Sequence, residues 1–337
     1  VIKHYLLAIE SSCDDTSIAI SDTDYNIIFQ ATSSQMEHEV FGGVLPELAS
    51  RLHIKHILRL TDYVLSKSDL SLEDISAIAV SINPGLIGSL LVGLSFAKGL
   101  AFSLNIPLIA VNHMLGHVHA NYLCHKVIPP YLALIVSGGH TELHYFKTDT
   151  DFTLVGKTLD DSAGETFDKS AKLLNLGFPG GQIINKLAET GNPDFVTFPR
   201  GLPQKDNYNF SYSGLKTSIK QYLFSQTLEY KNEHLADITA SIQSAIVEPL
   251  VKKTIRYAKL HNIKQILLAG GVAANTKLRE DMQNSAKKIN AEVFYPTPKL
   301  CTDNASMIAA AATAKFKAKQ FSPLSINAFS DKGTRNI

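Results

Sequence analysis

Two distant stretches of this chain share one plan. Leu6 to Ile20 runs an apolar segment into the polar, acidic turn Glu10-Ser11-Ser12-Cys13-Asp14-Asp15 and out into a second apolar segment. Leu132 to Leu143 does the same around Ser137-Gly138-Gly139-His140. Apolar runs bounded by turn residues predict strand hairpins. A second pair follows in the same order. Ile78 to Ile82 enters Asn83-Pro84-Gly85 and a helix, and Ile266 to Ala269 enters Gly270-Gly271 and a helix. A chain of 337 residues exceeds one ordinary core, for which roughly 100–200 residues is usual. The repetition therefore predicts two related α/β lobes facing each other across a cleft.

The expected boundaries put residues 1–120 in the first lobe, with 305–337 packing back on it, and residues 121–304 in the second. The second lobe carries a helical insertion at about 156–235. Ser162-Ala163-Gly164-Glu165 has capping-box spacing and opens a helix that carries Asp168 and Lys172 at i, i+4. Phe178-Pro179-Gly180-Gly181 ends it and leads to another helix, and Ser211 to Lys216 introduces a third. From Asp303 an alanine-rich helix runs to about Ala318.

Three widely spaced cysteines, Cys13, Cys124 and Cys301, fit a reducing cytosol better than a disulfide framework. The run Tyr5–Ile9 ends at Glu10 and reads as a strand rather than a leader. Ile75 to Ala97 is uncharged and long enough to span a bilayer, but Asn83-Pro84-Gly85 breaks it, so a buried strand, turn and helix are expected. The net charge of +1 hides an asymmetry. Residues 1–74 hold five Lys or Arg against twelve Asp or Glu, and residues 199–264 hold ten against five. The second segment could meet phosphates, or simply present solvated helix faces.

His113-Met114-Leu115-Gly116-His117 places two imidazoles four apart, on one helix face, close enough to share a metal ion. His119 and His125 are neighbouring alternatives. A third ligand is available in Asp303, which could equally cap the helix it precedes. Two imidazoles and a carboxylate suit Fe(II) or Zn(II) with positions open to substrate. Gly138-Gly139 and Gly270-Gly271 follow strands, and such loops offer backbone N–H groups to a nucleotide or phosphate or make plain tight turns. His140 follows the first loop, where a structural role is the simpler one. Glu10, Asp14 and Asp15 crowd one turn, as ordinary hairpin residues or as a carboxylate that orients water or serves as base.

Taken together these blocks resemble a known family. Glu10 to Thr16, Gly42 to Arg51, His113 to His117, Val136 to Thr141, Gly164 to Lys169, Pro179 to Gly181, Ser211 to Thr217, Gly270 to Asn275 and Cys301 to Asn304 resemble, in order, the motifs of the universal tRNA threonylcarbamoyladenosine synthesis enzymes, formerly called O-sialoglycoprotein endopeptidases. The resemblance runs almost end to end. It implies the actin-like ATPase (ASKHA) fold of two ribonuclease-H-like lobes. It also implies a cytoplasmic transferase that moves the threonylcarbamoyl group of threonylcarbamoyl-AMP to N6 of adenosine 37, in tRNAs reading codons that begin with A. By the same resemblance His113, His117 and Asp303 hold one divalent ion, Fe(II) first and Zn(II) second. Ile135, Val136, Ser137, Gly138, Gly139, Asp168, Gly181 and Asn275 bind the adenylate, and Asp14 is the candidate base. The implied partners are tRNA, an inactive paralogue that docks on the first lobe, for which Glu47 to Leu65 is the candidate face, and a small ATPase; no membrane is implied. Asn83 stands where glycine is usual, and Asn112 where a histidine often precedes the first ligand.

Three rival readings of the sequence stand beside this one. A metalloprotease of the zincin type needs a glutamate beside the first histidine, where this chain has Met114. A carbamoyltransferase or small-molecule kinase would share the fold and the nucleotide loops. A nucleotide-sensing subunit without activity would have no need of all three candidate ligands.

Overall fold

A computed structural model of the chain describes residues 3–41 and 44–330. It divides into two compact units, one running to Val127 and resuming at Pro296, the other spanning Ile128–Tyr295. Gly42 and Gly43 of the second motif, and the last residues of the expected tail, lie outside the described residues.

In the first unit β1 (Tyr5–Glu10), β2 (Asp15–Asp22) and β3 (Ile27–Ser34) form an antiparallel meander. Helix α1 (Pro46–Ser68) leads to β4 (Ile75–Asn83), and α2 (Ile87–Leu104) leads to β5 (Leu108–Asn112), giving the sheet order β3-β2-β1-β4-β5 with β4 and β5 parallel to β1. Alternation assigns the two faces. Leu7, Ile9, Ile18, Ile20, Ile78 and Val80 pack under α1 and α2 against Ile57, Val64, Leu94 and Ala97. Leu6, Ala8, Ala19, Ala77, Ala79, Ile109 and Val111 face the other way. Short helix α3 (His113–His119) continues directly from β5.

The second unit repeats this topology. β6 (Tyr131–Val136), β7 (Thr141–Phe146) and β8 (Phe152–Lys157) form its meander. Four helices follow: α4 (Ala163–Leu173), α5 (Gly180–Leu187), α6 (Ser213–Phe224) and α7 (Leu228–Glu233). The long α8 (Leu235–Leu260) then leads to β9 (Gln265–Ala269), and α9 (Thr276–Lys287) to β10 (Glu292–Phe294). The order is β10-β9-β6-β7-β8, again with the last two strands parallel to the first. Both expected hairpins and both strand–glycine-loop–helix segments are present.

The chain then returns to the first unit through α10 (Pro298–Cys301) and α11 (Ala305–Lys317). Alanine at Ala305, Ala309 and Ala312 lets α11 lie close on the Leu6–Ala8–Ala79 face, beside Met307 and Ile308. Each fully buried Leu or Ile in these layers contributes roughly 1.5–3 kcal/mol. The unit limits fall at Val127/Ile128 and Tyr295/Pro296, not at the expected 120/121 and 304/305. The turn Ala120–Leu123 follows α3 without a break, and the Ala305 amide donates to Ser17 Oγ at 2.9 Å, which ties the segment before α11 to β2. Asp303 therefore belongs to the same unit as the two histidines.

Among the described residues α2 is the one helix long and apolar enough to cross a membrane by length and composition. Its Leu90, Gly93, Leu94, Ala97 and Ala101 are buried.

Candidate metal centre and glycine loops

Asn112 ends β5 and caps α3, its Oδ1 accepting the amides of Met114 at 2.9 Å and Leu115 at 3.2 Å. The cap sets the first turn of α3, so His113 and His117 project from one face with ring centroids 4.8 Å apart. On the other side of the site the capping role falls to Asn304, whose Oδ1 accepts the Met307 amide at 3.0 Å. Asp303, one residue earlier, is thereby free of the cap that its position suggested. Its Oδ1 lies 3.1 Å from His117 Nε2 and 3.4 Å from His113 Nε2. One donor atom from each of the three residues falls within 4.8 Å of the others. Both imidazoles are buried, while the Asp303 side chain keeps 29% of its exposure and so leaves the group open on one side.

A residue that sequence reasoning left undecided is positioned here. Glu10, at the end of β1, is wholly buried, and its Oε2 accepts His113 Nδ1–H at 3.0 Å. Its other oxygen accepts the Ser12 amide at 2.6 Å, and Ser12 Oγ sits 3.1 Å from His113 Nδ1. The Nδ1 proton fixes the tautomer and turns the Nε2 lone pair toward Asp303, the carboxylate–histidine arrangement that metal ligands favour. His117 has no such support, since its Nδ1 is buried without a partner among the described residues. Asp14, the candidate base, sits half-buried in the same turn, its carbonyl accepting the Gln35 amide; of the turn's carboxylates it is Glu10 that touches a histidine. The turn itself is held by His53 of α1, which accepts from Thr16 Oγ1 at 2.7 Å and donates to the Cys13 carbonyl at 2.9 Å.

Electrostatics favour a cation at this spot. Burial opposes charge on His113, but Glu10 and Asp303 outweigh it and raise its pKa well above the usual imidazole value. Burial works against Asp303 too, and His113 and His117 still hold it well below the carboxylate range. Asp15 is pushed up to about 6, first by burial and then by Asp303, Asp14 and Glu10, against the pull of a Ser34 hydrogen bond. Two nitrogens and an oxygen in a surplus of carboxylate charge are a donor set that fits a divalent ion.

Two predictions follow from this electrostatic arrangement. In metal-free protein the folded-state pKa of Asp15 lies above its unfolded value, so its ionisation costs stability progressively as pH rises from about 4 to about 6. Asp15→Asn should stabilise the chelated protein by about 2 kcal/mol at pH 7.5 and about half that at pH 5, read by urea unfolding; an equal effect at both pH values would refute the shift. Glu10→Gln should cost roughly 10- to 100-fold in metal affinity, measured by chelator competition, because it loosens His113.

The second unit holds the other candidate residues. The β6–β7 turn is closed by the Ser137 amide on the His140 carbonyl at 2.9 Å and the His140 amide on Ser137 Oγ at 3.1 Å. Ser162 caps α4, accepting the Glu165 amide at 3.1 Å while its hydroxyl donates to the Gly138 carbonyl at 2.6 Å. One side chain thus joins the helix start to the glycine turn. The Glu165 carboxylate pairs forward with Lys169 at 2.6 Å, an i, i+4 ion pair of α4. Asp168 Oδ1 accepts the Gly180 amide at 2.9 Å, and burial lifts its pKa despite the Gly180 and Gly181 amides.

The glycines fall into two groups. A Cβ at Gly164 would lie 2.4 Å from the Ser137 carbonyl oxygen, and one at Gly270, whose φ is +84°, 2.6 Å from that of Val136; these glycines let three backbones pack. Gly138, Gly139 and Gly271 have nothing within 4 Å in the Cβ direction, so their backbones can be approached closely. Ile135 and Val136 are buried strand residues that position this turn, and Gly181 lies in the first turn of α5. Asn275 has both amide groups engaged, Oδ1 capping α9 through the Leu278 amide at 2.9 Å and Nδ2 donating to Gln243 Oε1 at 2.7 Å.

Comparison with known proteins turns this geometry into a family. Residues 26–310 match the family model described as tRNA N6-adenosine threonylcarbamoyltransferase. The enzyme of that name from Kosmotoga olearia is 46% identical over 96% of this chain and 97% of its own. The one from Syntrophotalea carbinolica is 47% identical over 97% and 96%. The chain belongs to the tRNA N6-adenosine threonylcarbamoyltransferase family. Solved structures at lower identity agree on the fold. HypF of T. kodakarensis superposes with a TM-score of 0.66 at 13% identity, covering 94% of this chain and 48% of HypF. Component A of the (R)-2-hydroxyglutaryl-CoA dehydratase of Acidaminococcus fermentans gives 0.54 at 16%, covering 94% and 99%. The fold is that of the actin-like ATPases, and the member of the threonylcarbamoyltransferase family described here is a tRNA-modifying transferase whose His113, His117 and Asp303 could hold a metal ion.

Proposed function

We propose that the protein transfers the threonylcarbamoyl group of threonylcarbamoyl-AMP to N6 of adenosine 37, in tRNAs that read codons beginning with A. The observation that carries this reading is the meeting of His113, His117 and Asp303, with Glu10 behind His113, in a chain of this family. The donor is a mixed anhydride and is already activated. The N6 lone pair attacks the carbamoyl carbon, the bond from that carbon to the phosphate oxygen breaks, AMP leaves with the electron pair, and the N6 proton passes to a base. Protein groups need only orient the two reactants and receive developing charge.

In this reading Ile135, Val136, Ser137, Gly138, Gly139, Asp168, Gly181 and Asn275 form the adenylate seat. The open Cβ directions of Gly138 and Gly139 support close backbone approach by the nucleotide. Asn275, with its amide committed to the α9 cap and Gln243, contributes through the backbone it holds. His113, His117 and Asp303 hold one divalent ion, Fe(II) before Zn(II). When bound, that ion supplies Lewis-acid stabilisation of phosphate charge. Asp14 is the proposed base. Adenosine 37 is offered from a single-stranded loop, so no duplex need be opened.

The partners we infer are a paralogous subunit and a small ATPase, in the cytoplasm. Helix α1 suits the first of these, because Ile54 and Leu58 are exposed on it between Arg51 and Arg59. Charge reversal at Arg51 and Arg59 without effect on pairing would remove that assignment. The central test is incubation of the metal-loaded protein with threonylcarbamoyl-AMP, unmodified tRNA and partners, followed by digestion and mass analysis. A nucleoside heavier by one threonylcarbamoyl group is expected; its absence with active partners would overturn the reading.

A further inference from the structure

Helices α8 and α9 end beside the start of β9, around a hollow of about 200 Å³. Lys259, Lys264 and Lys288 line it together with Asn262 and Asn290, and no carboxylate lines it. Both asparagines are in the left-handed region, each with φ of 53°, where they turn the chain out of a helix and across the hollow. Among the described residues the lysine and arginine ion pairs of this unit are made by other cations, Lys169, Arg200, Lys216, Lys252 and Lys277. Among the described residues the Lys264 ammonium donates to the Ile289 carbonyl at 3.4 Å and makes no ion pair.

Helix ends explain part of this. Lys259 lies in the last turn of α8 and Lys288 is the C-cap of α9, where a cation offsets the helix dipole. Lys264 lies on neither helix; it immediately precedes β9. Lys264 thus brings to the hollow a charge that no helix end accounts for, and an anion seated there would offset it. Three ammonium groups and two side-chain amides supply only donors at their tips except for the amide oxygens, which matches a phosphate oxygen cluster. The hollow opens at the start of β9, whereas the Gly270–Gly271 loop follows its end, about 17 Å away for five residues of strand. It is therefore separate from the glycine turns. Lys259 and Lys264 are the last two of the ten basic residues over 199–264.

We propose that this hollow seats a phosphodiester of the tRNA backbone, at a distance from the modified base. The inference rests on the reading of the protein as a tRNA enzyme, and it names where that substrate is gripped. Such a contact positions the RNA without reading its sequence, and its signature is salt dependence.

The test is binding of unmodified tRNA to the full-length, metal-loaded protein, followed by fluorescence anisotropy from about 50 to 200 mM NaCl. The Lys264→Ala, Lys288→Ala double variant should bind about tenfold more weakly at the lower salt. Its log Kd against log salt slope should fall by about 1 to 2. The Lys264→Arg, Lys288→Arg variant should keep both. Equal slopes in wild type and alanine variant would overturn the proposal. A second arm titrates inorganic phosphate by ³¹P NMR: line broadening with wild type and not with the alanine variant, alongside equal tRNA binding, makes the hollow a site for free phosphate and the RNA assignment fails. Failure of the wider reading is separable. Product formed by a wild type whose slope the lysines do not affect sinks only the phosphate seat, and a slope change in a protein that forms no threonylcarbamoyl nucleoside sinks only the proposed reaction.

Discussion

Asp303→Ala is expected to leave a folded protein that holds no stoichiometric metal and forms the modified nucleoside on the order of 10²- to 10³-fold more slowly. That is the range for loss of one group that stabilises developing charge, about 3–4 kcal/mol. The fold should survive, because the start of α11 depends on Asn304 and on the Ala305 amide bonded to Ser17, not on Asp303. The metal should not, because Asp303 is the only one of the three candidate ligands that brings negative charge, and it is the one to which both Nε2 atoms turn. Metal content by mass spectrometry and product by nucleoside analysis report the two effects separately. Asp303→Asn keeps the shape and an oxygen donor but loses the charge, so it should fall between wild type and alanine in metal affinity. An alanine variant with full metal content would show that the histidines and Asp303 are a hydrogen-bonded cluster only. Full activity after loss of the metal would instead detach the ion from the chemistry.

The parts of this structure that could be read from the chain are those where local pattern and tertiary contact agree. Both hairpins were visible because apolar runs around polar turns have one good solution, and the matching strand–glycine–helix segments set the parallel additions to each sheet. The alternation of Leu6, Leu7, Ala8 and Ile9 even carries the division of the faces, since α11 takes Leu6 and Ala8 while α1 and α2 take Leu7 and Ile9. His113 and His117 were legible from spacing, but Asp303 lies far along the chain, and nothing local chooses between capping and coordination. Its neighbour Asn304 takes the cap, which leaves Asp303 beside the two histidines. Glu10, Asp14 and Asp15 were equivalent as letters, and only the position of β1 beside the end of β5's sheet neighbour β4 brings Glu10 to His113. Similarly helical spacing puts Asp168 and Lys172 on one face, but it could not show that the Asp168 carboxylate turns to the Gly180 amide at the next helix start. A motif that names Ser162 as a cap could not show that the same hydroxyl holds the Gly138 carbonyl.

That last contact sets up the second large effect, a contrast between two glycines. Gly164→Ala and Gly139→Ala should fail in opposite ways. At Gly164 the added methyl meets the Ser137 carbonyl oxygen at 2.4 Å, its carbon at 2.7 Å and the Gly138 Cα at 2.8 Å, all backbone atoms that no rotamer change can clear. Helix α4 cannot withdraw freely, because Ser162 is bonded to Gly138 and the Ala163 amide to Thr141 Oγ1 at 2.9 Å. The turn must therefore shift, at about 1–3 kcal/mol for overpacking, which lowers Tm by roughly 2–10 °C for a unit of this size. Donor affinity should fall with it, since the Ser137–Gly139 backbone is displaced. At Gly139 the methyl meets nothing within 4 Å, so Tm should move by no more than about 1 °C, while donor binding weakens about tenfold or more because the methyl takes up ligand space. Calorimetric melting and titration with a non-hydrolysable adenylate analogue separate the two. If Gly139→Ala binds the analogue as wild type does, the β6–β7 turn is not the adenylate seat, whatever Gly164→Ala does to stability.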